Sequence, residues 1–185
     1  MRQLLFLLIL FCLMIQPVYS IEVAGVRLPE TIETTGENLQ LNGYGIRKKF
    51  FFKVYLGSLY TARKVTSSTQ VLDGTDGKLI RLDFLYKKLE KSRMVGGFAK
   101  GIEANSPELL SDPAVTEFLG WFDTDFVAGD QVDLAITAEN LVSASHNHRQ
   151  LGMIKSANLA KAILLIYLGN KPVDEDLKNG MLGDL

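Results

Sequence analysis

The stretch that most constrains this chain is "RKKFFFKVYLGSLY", residues 47–60. Read as a strand, its alternate positions separate into two faces. Phe50, Phe52, Val54, Leu56, Ser58 and Tyr60 form one. Arg47, Lys49, Phe51, Lys53, Tyr55, Gly57 and Leu59 form the other. A period of two that sorts apolar side chains from cations is the pattern of a β-strand with one face packed away. A sheet is therefore expected, with this strand near its centre.

The remaining segments say what accompanies that strand. "IEVAGVRLP" (21–29) alternates around Gly25 and predicts an opening strand or hairpin. Leu39 and Leu41 alternate ahead of a bend expected at "NGYG", 42–45, and "LIRLDFL" (79–85) is a second clear strand. Met94, Phe98 and Ile102 recur every four residues within 90–105, which is helical spacing. Gly96, Gly97 and Gly101 each weaken that helix by about 1 kcal/mol relative to alanine, so a close neighbour is expected against it. Ser106-Pro107 and Asp112-Pro113 are two helix starts. "GDQVDLAIT" (129–137) reads as a strand with "NLVSAS" (140–145) as its hairpin partner. A core helix is expected from about Leu151 to Leu168, and a short last helix capped by Asp174. Strands, a block of helices, more strands and a buried helix give an α+β class, not an alternating doubly wound fold.

Composition narrows function mostly by exclusion. The formal net charge of −1 argues against nucleic acid as a partner. Residues 1–20, "MRQLLFLLILFCLMIQPVYS", have the cation, apolar core and compact C-terminal residues of a cleaved signal peptide, with cleavage expected after Ser20. The single cysteine, Cys12, lies inside it, so no disulfide or thiolate chemistry is expected in residues 21–185, which are read as one domain. No later stretch approaches the ~20 apolar residues of a membrane span. Export to the periplasm follows as the expected location. His146 and His148 are the only histidines, and a polar hairpin tip explains them better than a metal site. Asp123, Asp125 and Asp130 read as turn and capping residues, and Trp121 as a core anchor. No phosphate-cradling glycine loop, nucleophile elbow or zinc spacing is present. No metal and no cofactor are expected.

Three segments, "LNGYGIRKKFFFKVYLGSLY", "GWFDTDFVAGDQVDL" and "LAKAILLIYLGNKPVDEDLKNGMLG", resemble the bacterial chalcone-isomerase-like proteins over nearly the whole chain after residue 20. The resemblance implies an open-faced β-sandwich, a large and mainly antiparallel sheet with α-helices layered on one face, and a ligand cleft between them. The family includes plant isomerases that close chalcones into flavanones, and relatives that bind fatty acids. The isomerases' arginine ahead of the core strand corresponds to Arg47, and their strand threonine falls at or near Tyr55. Their helix tyrosine falls near Met94, with other polar pocket positions near Gly97 and Gly101. Arg47 is thus retained while the helix offers apolar or glycine residues. The leading expectation is non-catalytic binding of a small amphipathic or carboxylated ligand of fatty-acid type. Arg47, Lys53 and Tyr55 would anchor its head, and Phe51, Leu59, Met94 and Phe98 would line its tail. Lys48 and Lys49 are read as a solvated strand entrance. Two alternatives stay open. One is an isomerase or intramolecular lyase with Arg47 and Tyr55 as catalytic groups; the other is an envelope interaction module with no ligand.

Overall fold

Residues 20–34 and 36–184 are described by a computed structural model of the chain. The expected signal peptide falls on residues 1–19 outside that range, apart from Ser20. The described residues form two units, divided after Glu30. The first is a hairpin of β1 (Ser20–Val23) and β2 (Val26–Pro29). Its turn places Ala24 and Gly25 at φ 52° and 82°, the left-handed region that a tight turn demands and glycine enters freely.

The second unit is built on seven strands. In chain order these are β3 (Thr31–Thr34), β4 (Glu37–Lys49), β5 (Phe52–Thr61), β6 (Lys78–Phe84), β9 (Gln131–Ile136), β10 (Leu141–His146) and β11 (Arg149–Lys155). They assemble in the order β11-β10-β9-β6-β5-β4-β3, every neighbour antiparallel. Two short strands, β7 (Lys88–Leu89) and β8 (Phe126–Val127), pair separately. The helices are α1 (Ser68–Asp73), α2 (Lys91–Asn105), a 3-10 turn (Pro107–Ser111), α3 (Pro113–Gly120), α4 (Ala157–Leu168) and α5 (Glu175–Met181).

The register explains which face the helices cover. Tyr55 lies opposite Phe84, Gly57 opposite Leu82, and Leu59 opposite Ile80, which in turn pairs with Leu134. Apart from Gly57, these residues join Met94, Phe98, Phe118, Ile163, Leu177 and Met181 in one core, the helical side of the sheet. The reverse side at the same strands carries Ser58, Arg81 and Asp133 in a row, with Arg81 donating to both Asp133 oxygens at 2.7 and 2.9 Å. Beside them Gln131 donates to Asp83.

Three expectations change. Residues 47–60 are not one strand but a hairpin: β4 ends at Lys49, Phe50 and Phe51 make the turn, and Arg47 faces Tyr55 across the pair. Nothing in "KFFF" resembles the Asn-Gly type of turn that would have marked this reversal. "NGYG" is not a bend either. β4 runs straight through it with a bulge at Asn42, whose buried amide donates to Val65 and Met181 carbonyls and accepts from Val65 N–H. The expected helix from Leu151 begins only at Ala157, because Ser156 caps it by accepting from Leu159 N–H, and 149–155 serve instead as edge strand β11.

Candidate functional site

The site lies where the β4–β5 hairpin approaches the start of α2. That helix begins at Lys91 because its first free N–H finds a partner: Asp125 accepts from it at 3.0 Å. The same carboxylate pairs with Lys88, and these contacts hold its pKa below the usual carboxylate range. So of the turn aspartates of "FDTDF", Asp125 is a capping group that fixes how α2 enters, while the Asp123 carboxylate accepts from Arg149 at 3.2 Å. Farther along, a Cβ on Gly101 would lie 3.0 Å from Ile166, so the glycine lets α4 pack closely, as the weak helix composition predicts.

Arg47 is the centre of the arrangement. It is half-buried, and its Nη1 sits 4.0 Å from where a Cβ on Gly97 would stand. The absence of a side chain there leaves room for the guanidinium beneath the helix. Arg47 reaches Tyr55 Oη at 3.5 Å, and its guanidinium carbon stands 5.4 Å from the centre of the Tyr55 ring, within cation–π range. Among the described residues it has no carboxylate partner. Burial raises the pKa of the Tyr55 phenol, with Arg47 opposing, so it is neutral at physiological pH. Tyr167 on α4, pushed well up by its own burial, lies close enough to Tyr55 to influence it. Its hydroxyl nonetheless meets no partner in hydrogen-bonding geometry.

A cavity of about 230 Å³ opens beside Arg47, walled by Lys49, Phe50, Phe52, Val54, Tyr86, Leu89 and Arg93. The structure distributes the sequence candidates unevenly around it. Arg47 lines the cavity and Tyr55 sits behind Arg47. Leu59, Met94 and Phe98 do not line it; they are buried core residues, Phe98 being packed between Phe118 and Phe122. Phe51 occupies the hairpin turn and is 99% exposed, and Lys53 is exposed opposite Lys48. Both leave the expected lining because the chain reverses at 50–51 instead of running straight. Phe52, Tyr86, Leu89 and Arg93 were not legible as site residues; only recognition of the turn would have brought them to Arg47.

Elsewhere, His146 ends β10, and Asn147 and His148 form the β10–β11 turn, both at positive φ. His146 Nε2 lies 3.2 Å from Asp130, without the alignment of a hydrogen bond. Trp121 stands over Gly152 of β11, in the space a Cβ would take.

The model of the family described as chalcone isomerase-like matches residues 20–183. The chain belongs to that family. Among solved structures, the crystal structure of a fatty-acid binding protein from Arabidopsis thaliana superimposes with a TM-score of 0.69 at 19% identity, covering 89% of this chain and 96% of that one. At that identity the likeness speaks for the chalcone isomerase-like fold, in agreement with the antiparallel sheet and its helical layer. Comparison with curated proteins gives no match. Among the described residues no helix is long and apolar enough to cross a membrane.

Proposed function

We propose that this chalcone isomerase-like chain is an exported, non-catalytic binder of a small amphipathic carboxylate, with Arg47 holding the carboxylate and the aromatic walls covering the adjoining apolar part. One observation carries the reading: a half-buried guanidinium, unpaired with any carboxylate among the described residues, faces an apolar-walled cavity. A charge withdrawn from water without a counterion is costly, and a ligand carboxylate matches the planar fork of arginine. Tyr55 supports the headgroup by orienting Arg47. The fatty-acid ligand named for the Arabidopsis protein is in keeping with this chemistry. At about 230 Å³ the cavity is below the ~300–1,000 Å³ of drug-sized sites, which favours a short acid or the head end of a longer one. Export rests on residues 1–20, and the periplasm is the matching location.

The isomerase reading would use Arg47 to stabilise an oxyanion and Tyr55 to place a proton. It is the weaker reading because Met94, at the position that the resemblance gives to the isomerases' helix tyrosine, is a buried core residue with no protic group, and Gly97 beside Arg47 has no side chain. Displacement of an apolar fluorescent probe by fatty acids of graded length tests the proposal. The expected result is competition by acids that weakens tenfold or more in Arg47→Ala, as loss of a charge-assisted hydrogen bond of about 1.5–3 kcal/mol requires. If no acid competes at any length, carboxylate binding is refuted.

A further inference from the structure

The tip of the β4–β5 hairpin is assembled against the ordinary rules for such a turn. Its two loop residues are Phe50 and Phe51, and Phe50 sits at φ 56°, a region where a bulky side chain is strained. Phe50, Phe51 and Phe52 are 85%, 99% and 58% exposed, and Tyr86 stacks edge-on against Phe52 at 5.6 Å. The register then sets Lys48 directly opposite Lys53, a like-charge pair that destabilises a hairpin. Lys49 and Lys87 are also exposed, and among the described residues none of these four lysines has an ion-pair partner. Beyond the Phe52–Tyr86 contact, folding gains little from three exposed phenylalanines, a strained loop and four cations without ion-pair partners. Departures of this kind concentrate at functional sites.

An anionic lipid surface reconciles all of them. Aromatic side chains settle at the membrane interface, and lysines beside them meet the lipid phosphates. A chain whose formal net charge is −1 does not approach such a surface by its overall charge, so the local cluster must supply the attraction. We propose that the Phe50–Phe52 tip docks into the headgroup region of an anionic bilayer, with Lys48, Lys49, Lys53 and Lys87 ringing it at the phosphates. Phe50 and Phe52 also wall the Arg47 cavity, so the docked protein presents the cavity mouth to the lipid. The docking itself does not depend on the proposed ligand and is measured without one.

The test uses the full chain carrying Phe51→Trp, since Phe51 does not line the cavity, with the unsubstituted chain supplying the Trp121 baseline. Both are titrated with vesicles of phosphatidylcholine alone or mixed with phosphatidylglycerol, with and without bromine-labelled acyl chains. The expected result is a blue shift and bromine quenching of the F51W indole on anionic vesicles, lost at high salt. Lys48→Gln and Lys53→Gln should each weaken the response about fivefold. If the chain sediments with vesicles while the F51W indole stays in water, attachment lies elsewhere, such as residues 1–20, and the proposal is overturned. A concentration-dependent blue shift without lipid would assign the tip to a second copy of the chain and overturn it equally. No binding to either vesicle has the same consequence.

Discussion

Gly97→Asp places a carboxylate inside the protein where a ligand's carboxylate is proposed to sit. A Cβ at Gly97 would stand 4.0 Å from Arg47 Nη1, an ordinary contact that requires no movement. The carboxylate one bond farther on comes within hydrogen-bond reach of the guanidinium. Replacing glycine within α2 removes part of its conformational penalty, about 0.3 kcal/mol after allowing for aspartate's own modest propensity. A charge-assisted contact with Arg47 adds at most about 1.5–3 kcal/mol, less in this half-buried setting. Stability should therefore hold or rise. A ligand carboxylate must now displace an internal one, so its affinity should fall between about tenfold and a hundredfold. A fatty alcohol of the same chain length owes nothing to Arg47's charge and should bind the variant much as it binds the original. Probe displacement by the acid and the alcohol, with thermal unfolding of both proteins, reads all three quantities. If acid and alcohol weaken equally, the aspartate acts by bulk and the carboxylate subsite is wrong. If neither changes, Arg47 does not face the ligand.

Two further predictions concern the scaffold. Burial raises the Asp83 carboxyl above its ordinary value, with Gln131 and Arg81 opposing. A raised pKa in the folded state means its contribution is present below the ordinary carboxylate pKa and is lost as pH rises through the folded value. Asp83→Asn should thus be the more stable protein at pH 7, the difference closing toward about pH 4; a urea-midpoint advantage that grows in acid would contradict this. Gly180→Ala should destabilise by about 1–3 kcal/mol or more, because its Cβ would strike the Tyr44 carbonyl. Alanine's better helix propensity predicts the opposite sign, so a stabilised variant would show that α5 can shift away from β4.

Most of the sheet could be read from periodicity alone. Residues 79–85 alternate cleanly because one face meets the helical core and the other holds Arg81 and Asp83. Helix α2 was legible from Met94, Phe98 and Ile102 since all three face that core. The boundary between β11 and α4 was hidden because "LGMIKSANLAKAILL" is almost continuously apolar, and only Ser156 marks it. The site was half visible. Arg47 stood out, but its neighbours depend on a reversal at Phe50-Phe51 that has no turn residue to announce it. Tyr167 reaches Tyr55 only through the packing of α4, a long-range placement that no local pattern encodes.

The seating of the last helix has a consequence for the order in which the protein can fold. Gly43 and Gly45 of β4 meet α5 backbone against backbone, and Gly57 of β5 meets the side chains of Leu177 and Met181. Strands β4 and β5 emerge from the ribosome long before the residues that cover them. A growing chain can pair its strands, but the trough along those glycines stays uncovered until residues 176–183 are made. The core is therefore closed by residues 176–183, and folding of these strands to completion must wait for the synthesis of that segment.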